Sequence, residues 1–263
     1  MSGNGWWGRG RARCVRCVAV LLATALLAGC AGAQTVERHP DDPWEGFNRR
    51  VFTFNEALDR AILRPVARGY DAITPRPVQT GVGNFFSNLG EIRTALNSLL
   101  QGKPGNAGIA TSRFLINSTV GIGGLWDFAT HMEITGREED FGQTLGAWGV
   151  GEGPFLVLPF LGPSTVRDTA GLPLDIYTYP IYHLDDEALR IALTALNVVH
   201  VRAGLLEQEA LISGDRYSFI RDTYLQRRRF EVSDGELGDD PFASDDFDFN
   251  FDDDAFDDDA FDE

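Results

Sequence analysis

Cysteine is scarce in this sequence, and its positions exclude most of the chemistry that cysteine supports. The 263 residues contain three cysteines, Cys14, Cys17 and Cys30. Cys14 and Cys17 lie in an amino-terminal segment of the kind that is removed on export, so their CxxC spacing predicts no zinc or redox site in the mature chain. Cys30 would then be the one cysteine left, and a single cysteine cannot form an internal disulfide bond.

Local signatures of catalysis and of metal binding are also missing. The glycine-rich residues 149–153 lack the spacing of a nucleotide-binding loop, and the chain has no Gly-x-Ser-x-Gly elbow. No histidine belongs to an HExxH motif or to a close group of His, Cys and carboxylate residues. The four histidines are His39, His131, His183 and His200. We therefore predict no metal, no cofactor and no enzymatic activity, although an enzyme without a local signature stays open.

Lysine and long apolar runs are in equally short supply. Lys103 is the only lysine, and the arginines form no basic stripe, so nucleic acid is a poor partner for this chain. No stretch reaches the roughly 20 consecutive apolar residues that a membrane-spanning helix requires. Any attachment to a membrane must therefore come from an anchor rather than from a spanning segment.

Acidic residues are abundant but unevenly placed. The formal net charge is −16, and fifteen of the 39 acidic residues fall within 233–263, which has no Lys or Arg. That Asp- and Phe-rich segment is predicted to be disordered, because its charge repels itself and its apolar surface is too small to form a core. It either keeps the protein soluble or offers its phenylalanines to a groove on a partner.

The amino terminus reads as an export signal. Arginines at 9, 11, 13 and 16 make a basic region, and residues 15–28 form a mostly apolar run that is too short to span a bilayer. The ending Leu-Ala-Gly-Cys at 27–30 resembles a bacterial lipobox, where cleavage precedes a cysteine that receives lipid. We therefore predict lipidation of Cys30 and an outer-membrane destination, because a neutral Ala31 follows it. The alternative is an ordinary secretory peptide that happens to contain Cys30.

Residues 141–168 form an apolar stretch that glycine and proline interrupt repeatedly. Its longest uninterrupted apolar piece, 155–161, itself contains Pro159. Glycine admits backbone angles that other residues resist, and proline breaks helices. The stretch is either a buried loop in a soluble core or a segment that bends through a lipid interface or lines an amphipathic passage, with protein around its backbone.

Elsewhere the apolar periodicity indicates helices. Positions spaced three and four apart predict helices over 42–63, 82–101, 107–119, about 187–204 and beyond Asp215. No region shows sustained strand alternation, so the fold class is predicted to be all-α. The first helix starts with several aromatic residues, which suit either a membrane interface or a core.

Prolines and caps set the predicted breaks between these helices. Arg64-Pro65 is expected to end the first helix, and Pro173 and Pro180 are expected to interrupt the apolar residues 172–183. Ser164 is predicted to cap a short helix that contains Arg167 and Asp168.

Ordered motifs along the body resemble the MlaA (VacJ) lipoprotein family. The resemblance covers residues 41–232 and is densest at 121–128, GIGGLWDF, and at 141–168. Further matches are DPWEGFNR at 42–49, RPVA at 64–67, GVGNF at 81–85, NSLLQG at 97–102, RFLINST at 113–119 and YLQRR at 224–228. The Asp- and Phe-rich tail is not part of the matching region.

The resemblance implies a lipid-transport protein of the outer membrane. Similar proteins are all-helical, ring-like bodies in the inner leaflet, with an amphipathic central channel through which phospholipids misplaced in the outer leaflet pass to a periplasmic carrier. They associate with trimeric porins. The implied organisation is a signal peptide at 1–29, a lipidated tether at 30–41, the helical domain at 42–232 and the tail at 233–263.

Two groups of residues are assigned to the implied passage by segment. The first would form the channel and its flexible wall: Ile122, Gly123, Gly124, Leu125, Trp126, Phe141, Leu145, Gly149, Gly151, Gly153, Phe155, Leu158 and Phe160. The second would form a helix at the membrane interface that controls opening: Phe47, Asn48, Val51, Phe54 and Asn55. The rival interpretations are a structural envelope lipoprotein that binds porin without transporting lipid, and an enzyme that cleaves phospholipid.

Overall fold

The computed structural model describes residues 39–211 and 214–235. The chain divides into two units, Met1–Pro43 and Trp44–Glu263. In the first unit the described residues form a turn, in which the backbone N–H of Asp42 donates to the carbonyl of His39 at 2.9 Å. The predicted signal peptide, the predicted lipidation site Cys30 and most of the acidic tail lie outside the described residues.

The second unit is helical, which confirms the predicted class. Its α-helices are α1 (Glu45–Leu58), α2 (Arg64–Ile73), α3 (Arg76–Leu100), α4 (Pro104–Thr119), α5 (Phe128–His131), α6 (Phe141–Ala147), α7 (Val166–Thr178), α8 (Glu187–Gly204) and α9 (Arg216–Val232). A π-helical turn covers Asp59–Leu63, and 3₁₀ turns cover Pro180–His183 and Gln208–Leu211. Among the described residues, no helix is both long and apolar enough to cross a membrane.

The first helix does not end at Pro65, and that prediction was wrong. A π-helical turn joins α1 to α2, with the backbone N–H of Arg64 donating five residues back to Asp59. Such a turn widens the helix, which leaves room for the proline ring that would otherwise collide with the preceding turn. The helical path therefore continues to Ile73.

Helices α3 and α4 pack against each other through polar side chains. Arg113 of α4 forms ion pairs with Glu91 of α3 at 2.6 Å and with Asp127 at 3.1 Å. Asn97 of α3 accepts a hydrogen bond at 2.8 Å from Thr144 of α6. Because buried polar groups must be paired, these contacts fix how the helices are aligned.

A short β-hairpin, β1 (Phe155–Leu158) and β2 (Gly162–Thr165), interrupts the helical unit, and the periodicity did not predict it. Its strands are antiparallel, with Phe155 opposite Thr165. Phe155 and Val157 point inward and form a small apolar core with Tyr217 and Leu225 of α9. Four residues per strand are too few for a sustained alternation to stand out in the sequence.

Two predicted breaks shift in the structure. Thr165, not Ser164, caps α7, because its side chain accepts the N–H of Asp168 at 3.1 Å. The Ser164 hydroxyl lies instead 2.9 Å from that of Thr169. Pro173 lies inside α7 and does not end it. Pro180 begins a 3₁₀ turn after the end of α7, so the predicted break at Pro180 is present.

Candidate functional site

Large apolar side chains are exposed over much of the helical unit. Ile73 exposes 82% of its surface, Phe160 72% and Ile122 70%. Further exposed apolar residues are Phe47, Phe54, Ile62, Val66, Leu99, Leu125, Trp126, Trp148 and Leu161. Where such side chains form a contiguous patch, the patch is typical of a membrane or partner contact.

Helix α1 divides the predicted interface residues between two directions. Phe47 and Phe54 are exposed, whereas Asn48 is fully buried. Val51 is half-buried and packs, with Phe52, against the core of the hairpin. The helix thus presents aromatic rings to its surroundings on one side and polar groups to the hairpin on the other.

Asn48 and Asn55 hold the hairpin by pairing with its backbone. The Asn48 amide donates to the carbonyl of Phe155 at 3.0 Å and accepts the N–H of Val157 at 2.9 Å. Asn55, two helical turns further along α1, does the same with the carbonyl of Leu158 and the N–H of Phe160, both at 2.9 Å. These side chains take the place of a third strand along β1, so the sequence, which assigned them to gating, missed their structural role.

Phe160 is an exposed aromatic residue at the hairpin turn in a backbone conformation that L-residues disfavour. Its φ is +66°, a left-handed value that costs roughly 1–2 kcal/mol for a residue other than glycine. Its ring contacts that of Phe54 edge to face, with centroids 5.4 Å apart. Together the two rings form an apolar tip where the hairpin meets α1.

The predicted wall residues at 122–126 form an exposed loop. Ile122, Leu125 and Trp126 are exposed, and Gly124 is buried. Gly123 and Gly124 have positive φ, and a Cβ on Gly124 would lie 2.7 Å from the Asn88 amide nitrogen. The tight turn therefore requires a glycine at 124, and its apolar side chains are left facing outward.

The remaining predicted wall residues divide between surface and interior. Phe141 and Leu145 of α6 are half-buried, and Phe155 belongs to the core. Gly149, Gly151 and Gly153 form an exposed loop, in which Gly149 and Gly153 have positive φ. Leu158 is half-buried and lines a cavity.

Two adjoining cavities lie within the helical unit. Cavity A, of about 720 Å³, is lined by residues of α3, α6, α7, α9, the hairpin and the loop before α6. Cavity B, of about 480 Å³, is lined by residues of α3, α7 and α8, by the turn after α7 and by the loop before α6. Four residues line both cavities, and we name them the shared wall: Arg93, Glu138, Leu172 and Asp175.

Cavity A combines apolar side chains with a buried ionic network. Arg228 contacts Asp140 at 2.7 Å and Asp168 at 2.9 Å, and the Tyr224 hydroxyl donates to Asp168 at 2.8 Å. Burial opposes ionisation of both carboxyls, but the hydrogen bonds from Arg228 outweigh it and hold their pKa values below the usual range. Burial also raises the pKa of Tyr224. The network stays ionised at neutral pH and fixes α9 against α6 and α7.

Of the predicted wall residues, Leu158 lines cavity A, and the others line neither cavity in the described part of the chain. The residues around the cavities come mainly from α3, α7, α8 and α9, which the sequence did not assign to a site. Their apolar spacing indicated helices, but nothing in that spacing indicated which helix face meets a cavity. No group of three or more His, Cys, Asp or Glu able to hold a metal ion occurs among residues 39–211 and 214–235.

Comparison with known proteins places this helical unit in a family. The family model described as MlaA lipoprotein matches residues 40–231. The chain belongs to the MlaA lipoprotein family. The match spans the helical unit, from the residues before α1 to the end of α9.

Relatives in the family carry names that refer to lipid transport. The chain is 38% identical, over 229 residues, to the intermembrane phospholipid transport system lipoprotein MlaA of Escherichia coli K12, covering 85% of this chain and 91% of that protein. The protein of the same name from Haemophilus influenzae is 34% identical over 228 residues, covering 82% of this chain and 90% of that protein.

A solved structure supports the same family assignment. It comes from work on the structural basis for maintenance of bacterial outer membrane lipid asymmetry. It is 37% identical in sequence to this chain, with a TM-score of 0.65, and the alignment covers 73% of this chain and 98% of the other.

Proposed function

We propose that this protein is an outer-membrane lipoprotein that removes mislocalised phospholipids from the outer leaflet and passes them to a periplasmic carrier, so that the lipid asymmetry of the outer membrane is maintained. A lipid on Cys30 would anchor it in the periplasmic leaflet. The observation that carries the proposal is the pair of adjoining cavities, lined by both apolar and charged side chains, in a helical unit whose relatives are named for phospholipid transport.

The lining of cavity A fits the two parts of a phospholipid. Leu158, Leu161 and Phe230 supply apolar surface beside the charged residues of α7 and α9. An acyl chain needs a continuous apolar lining, whereas a charged headgroup costs several kcal/mol to bury without polar partners. A passage that offers both surfaces lowers the barrier to transfer without any covalent step.

The exposed apolar side chains fit a body that sits in a leaflet. Phe47 and Phe54 of α1, with Phe160 beside them, would contact acyl chains, and the loops at 122–126 and 149–153 would form the flexible wall. This arrangement would form the ring-like channel that the resemblance implies. A trimeric porin and a soluble periplasmic carrier are the proposed protein partners.

The test is the phospholipid content of the outer leaflet in living cells. In a deletion strain, a membrane-impermeant amine-reactive label should detect surface phospholipid, and expression of this chain should remove it without producing lysophospholipid. Leu172→Trp, which fills the shared wall, should fail to remove it, whereas Leu174→Trp should complement, because Leu174 lies on the same helix and lines neither cavity.

Two results would contradict the proposal. An unchanged surface in a deletion strain with no redundant transport system would favour a structural lipoprotein that only binds porin. The appearance of lysophospholipid or of a released headgroup with this chain would favour an enzyme. Equal amounts of each variant in the outer membrane must be verified by immunoblot before the comparison is made.

A further inference from the structure

The charged residues of the shared wall differ from the other charged residues around cavity A. Arg228 pairs with Asp140 and Asp168, and Glu139 pairs with Lys103 at 3.1 Å. By contrast, the carboxylate of Glu138 and the guanidinium of Arg93 form no ion pair with any described residue. Asp175 accepts one hydrogen bond, from the backbone N–H of Phe141 at 2.9 Å.

Of these three side chains, Arg93 gives the clearest indication that a partner is missing. Its Nε is buried and has no hydrogen-bond acceptor within the described chain. Leaving a buried donor unsatisfied is costly, and proteins rarely do so without a reason such as an absent ligand. The Arg93 side chain as a whole is only partly buried and lines both cavities, so an acceptor that enters either one can reach the guanidinium group.

We propose that Arg93, Asp175 and Glu138 form a binding site for a zwitterionic phospholipid headgroup, with the phosphate on Arg93 and the ammonium group on the two carboxylates. This inference rests on the proposed function and specifies which lipids the passage prefers. The acyl chains would extend along Leu172 and the apolar walls of the two cavities.

The chemistry of the three side chains predicts a preference for zwitterionic over anionic headgroups. A guanidinium binds a phosphodiester through paired, charge-assisted hydrogen bonds. Two carboxylates attract an ammonium group but repel a headgroup whose only charge is the phosphate. Burial raises the pKa of Asp175 to about 6, so it is mostly ionised at neutral pH, and a bound ammonium group would favour that form.

The experiment uses the full-length, lipidated protein purified in detergent. It is mixed with equal amounts of phosphatidylethanolamine and phosphatidylglycerol, and the lipid that stays bound is measured by native mass spectrometry. The parent chain should retain more phosphatidylethanolamine than phosphatidylglycerol. Arg93→Met should lower retention of both lipids by about tenfold, the scale of one lost charge-assisted contact.

Two further variants separate the roles of the side chains. The double variant Asp175→Asn with Glu138→Gln should lower phosphatidylethanolamine alone and abolish the preference. Arg76→Met is the matched control, because Arg76 lies on α3 like Arg93 but is 74% exposed and lines neither cavity, and it should leave retention of both lipids unchanged. Arg93→Met should not lower the melting temperature, because the substitution removes an unsatisfied donor. If Arg93 served only to stabilise the fold, the same substitution would lower the melting temperature.

The outcomes of this experiment distinguish failure of the headgroup site from failure of the proposed function. If the parent chain binds phospholipid but Arg93→Met and the double variant retain both lipids as the parent does, the headgroup site is refuted and the transport function stands. If the parent chain retains no phospholipid at all, both the site and the proposed function are overturned.

Discussion

At the scale of single residues, Arg228 shows how a buried charge can be structural. Its guanidinium is nearly enclosed and is shared by Asp140, Asp168 and Glu231. Removing one partner from such a group leaves the others buried and charged, which costs more than the intact network contributes. The sequence places Arg228 in a run of three arginines, 227–229, where a solvated helix face is the ordinary reading.

Arg228→Met should destabilise the protein by about 3–5 kcal/mol, because Asp140 and Asp168 would lose their cation while still buried. Chemical denaturation in detergent at pH 7.5 measures this. Arg227→Met is the matched control and should change stability by no more than about 1 kcal/mol, because Arg227 is 74% exposed and pairs only at the surface. A loss of equal size in both variants would contradict this role.

The same network predicts how the stability depends on acid. The folded-state pKa values of Asp140 and Asp168 lie below their usual range. Their stabilising contribution is therefore present above about pH 4, the unfolded value, and is lost as the pH falls through the lower folded values. In Arg228→Met this dependence on acid should be much weaker.

Asp175 should behave in the opposite way. Burial raises its folded-state pKa to about 6, so its stabilising contribution is complete below about pH 4 and is lost as the pH rises through 6. Asp175→Asn should therefore raise the free energy of unfolding by about 1–2 kcal/mol at pH 7.5 and leave it nearly unchanged at pH 3.5. Melting curves at the two pH values check this, and an equal effect at both would contradict it.

At the scale of secondary-structure elements, the sequence predicts long helices better than breaks and short strands. The apolar spacing over 187–204 and 107–119 indicates helices that the structure contains as α8 and α4. Pro65 and Pro173 were misjudged, since a π-helical turn precedes the first and α7 continues through the second, although the local rule treats both as stops. The hairpin escaped prediction because its outer edge pairs with side chains of α1, which are distant in sequence.

Asn48→Ala should loosen the hairpin, because the carbonyl of Phe155 and the N–H of Val157 would be left buried and unpaired. We expect a loss of about 2–4 kcal/mol and an amide exchange rate at Val157 at least tenfold higher. Hydrogen exchange followed by mass spectrometry measures the exchange rates at 155–158 and in α4, and the rates in α4 should not change. Arg50→Ala, an exposed neighbour on α1, is the control. Unchanged protection at 155–158 would show that Asn48 does not hold the hairpin.

Gly149 and Gly151 look alike in the sequence, but the structure separates them. Gly149 has a φ of +89°, whereas the φ of Gly151 lies outside the left-handed region, and a Cβ at either position would meet open space. Gly149→Ala should therefore cost about 1 kcal/mol, and Gly151→Ala should change stability by less than about 0.5 kcal/mol. If Gly151→Ala slows lipid removal, the effect can be assigned to flexibility of the loop. The same effect in Gly149→Ala could not, because that substitution also lowers stability. Equal destabilisation of both variants would contradict the assignment.

At the scale of the whole molecule, the sequence predicts the class of function better than the location of the site. The motifs between 41 and 232 indicate the family, and the family match confirms it. The cavities, however, are formed by residues such as Arg93, Leu172 and Tyr224, which are far apart in the chain. Only the packing of α3, α7 and α9 brings them together, and helical periodicity does not specify which faces will enclose a space.

The exposed apolar surface and the cavities together describe how such a molecule would work. Side chains such as Phe54 and Phe160 face outward, where acyl chains of a leaflet would cover them, while Leu172 lines both cavities. A lipid would therefore find apolar contacts both outside the protein and along the passage within it. We infer that phospholipid occupies that passage.

The most direct test places a photo-reactive amino acid at single positions of the protein in living cells and identifies lipid adducts after illumination. Positions 172 and 176, which line the cavities, should give phospholipid adducts, and Glu207, an exposed residue of an ion pair outside both cavities, should give none. Adducts at the exposed Ile73 with none at 172 or 176, in variants that still reach the outer membrane, would show that lipid touches this protein without entering it.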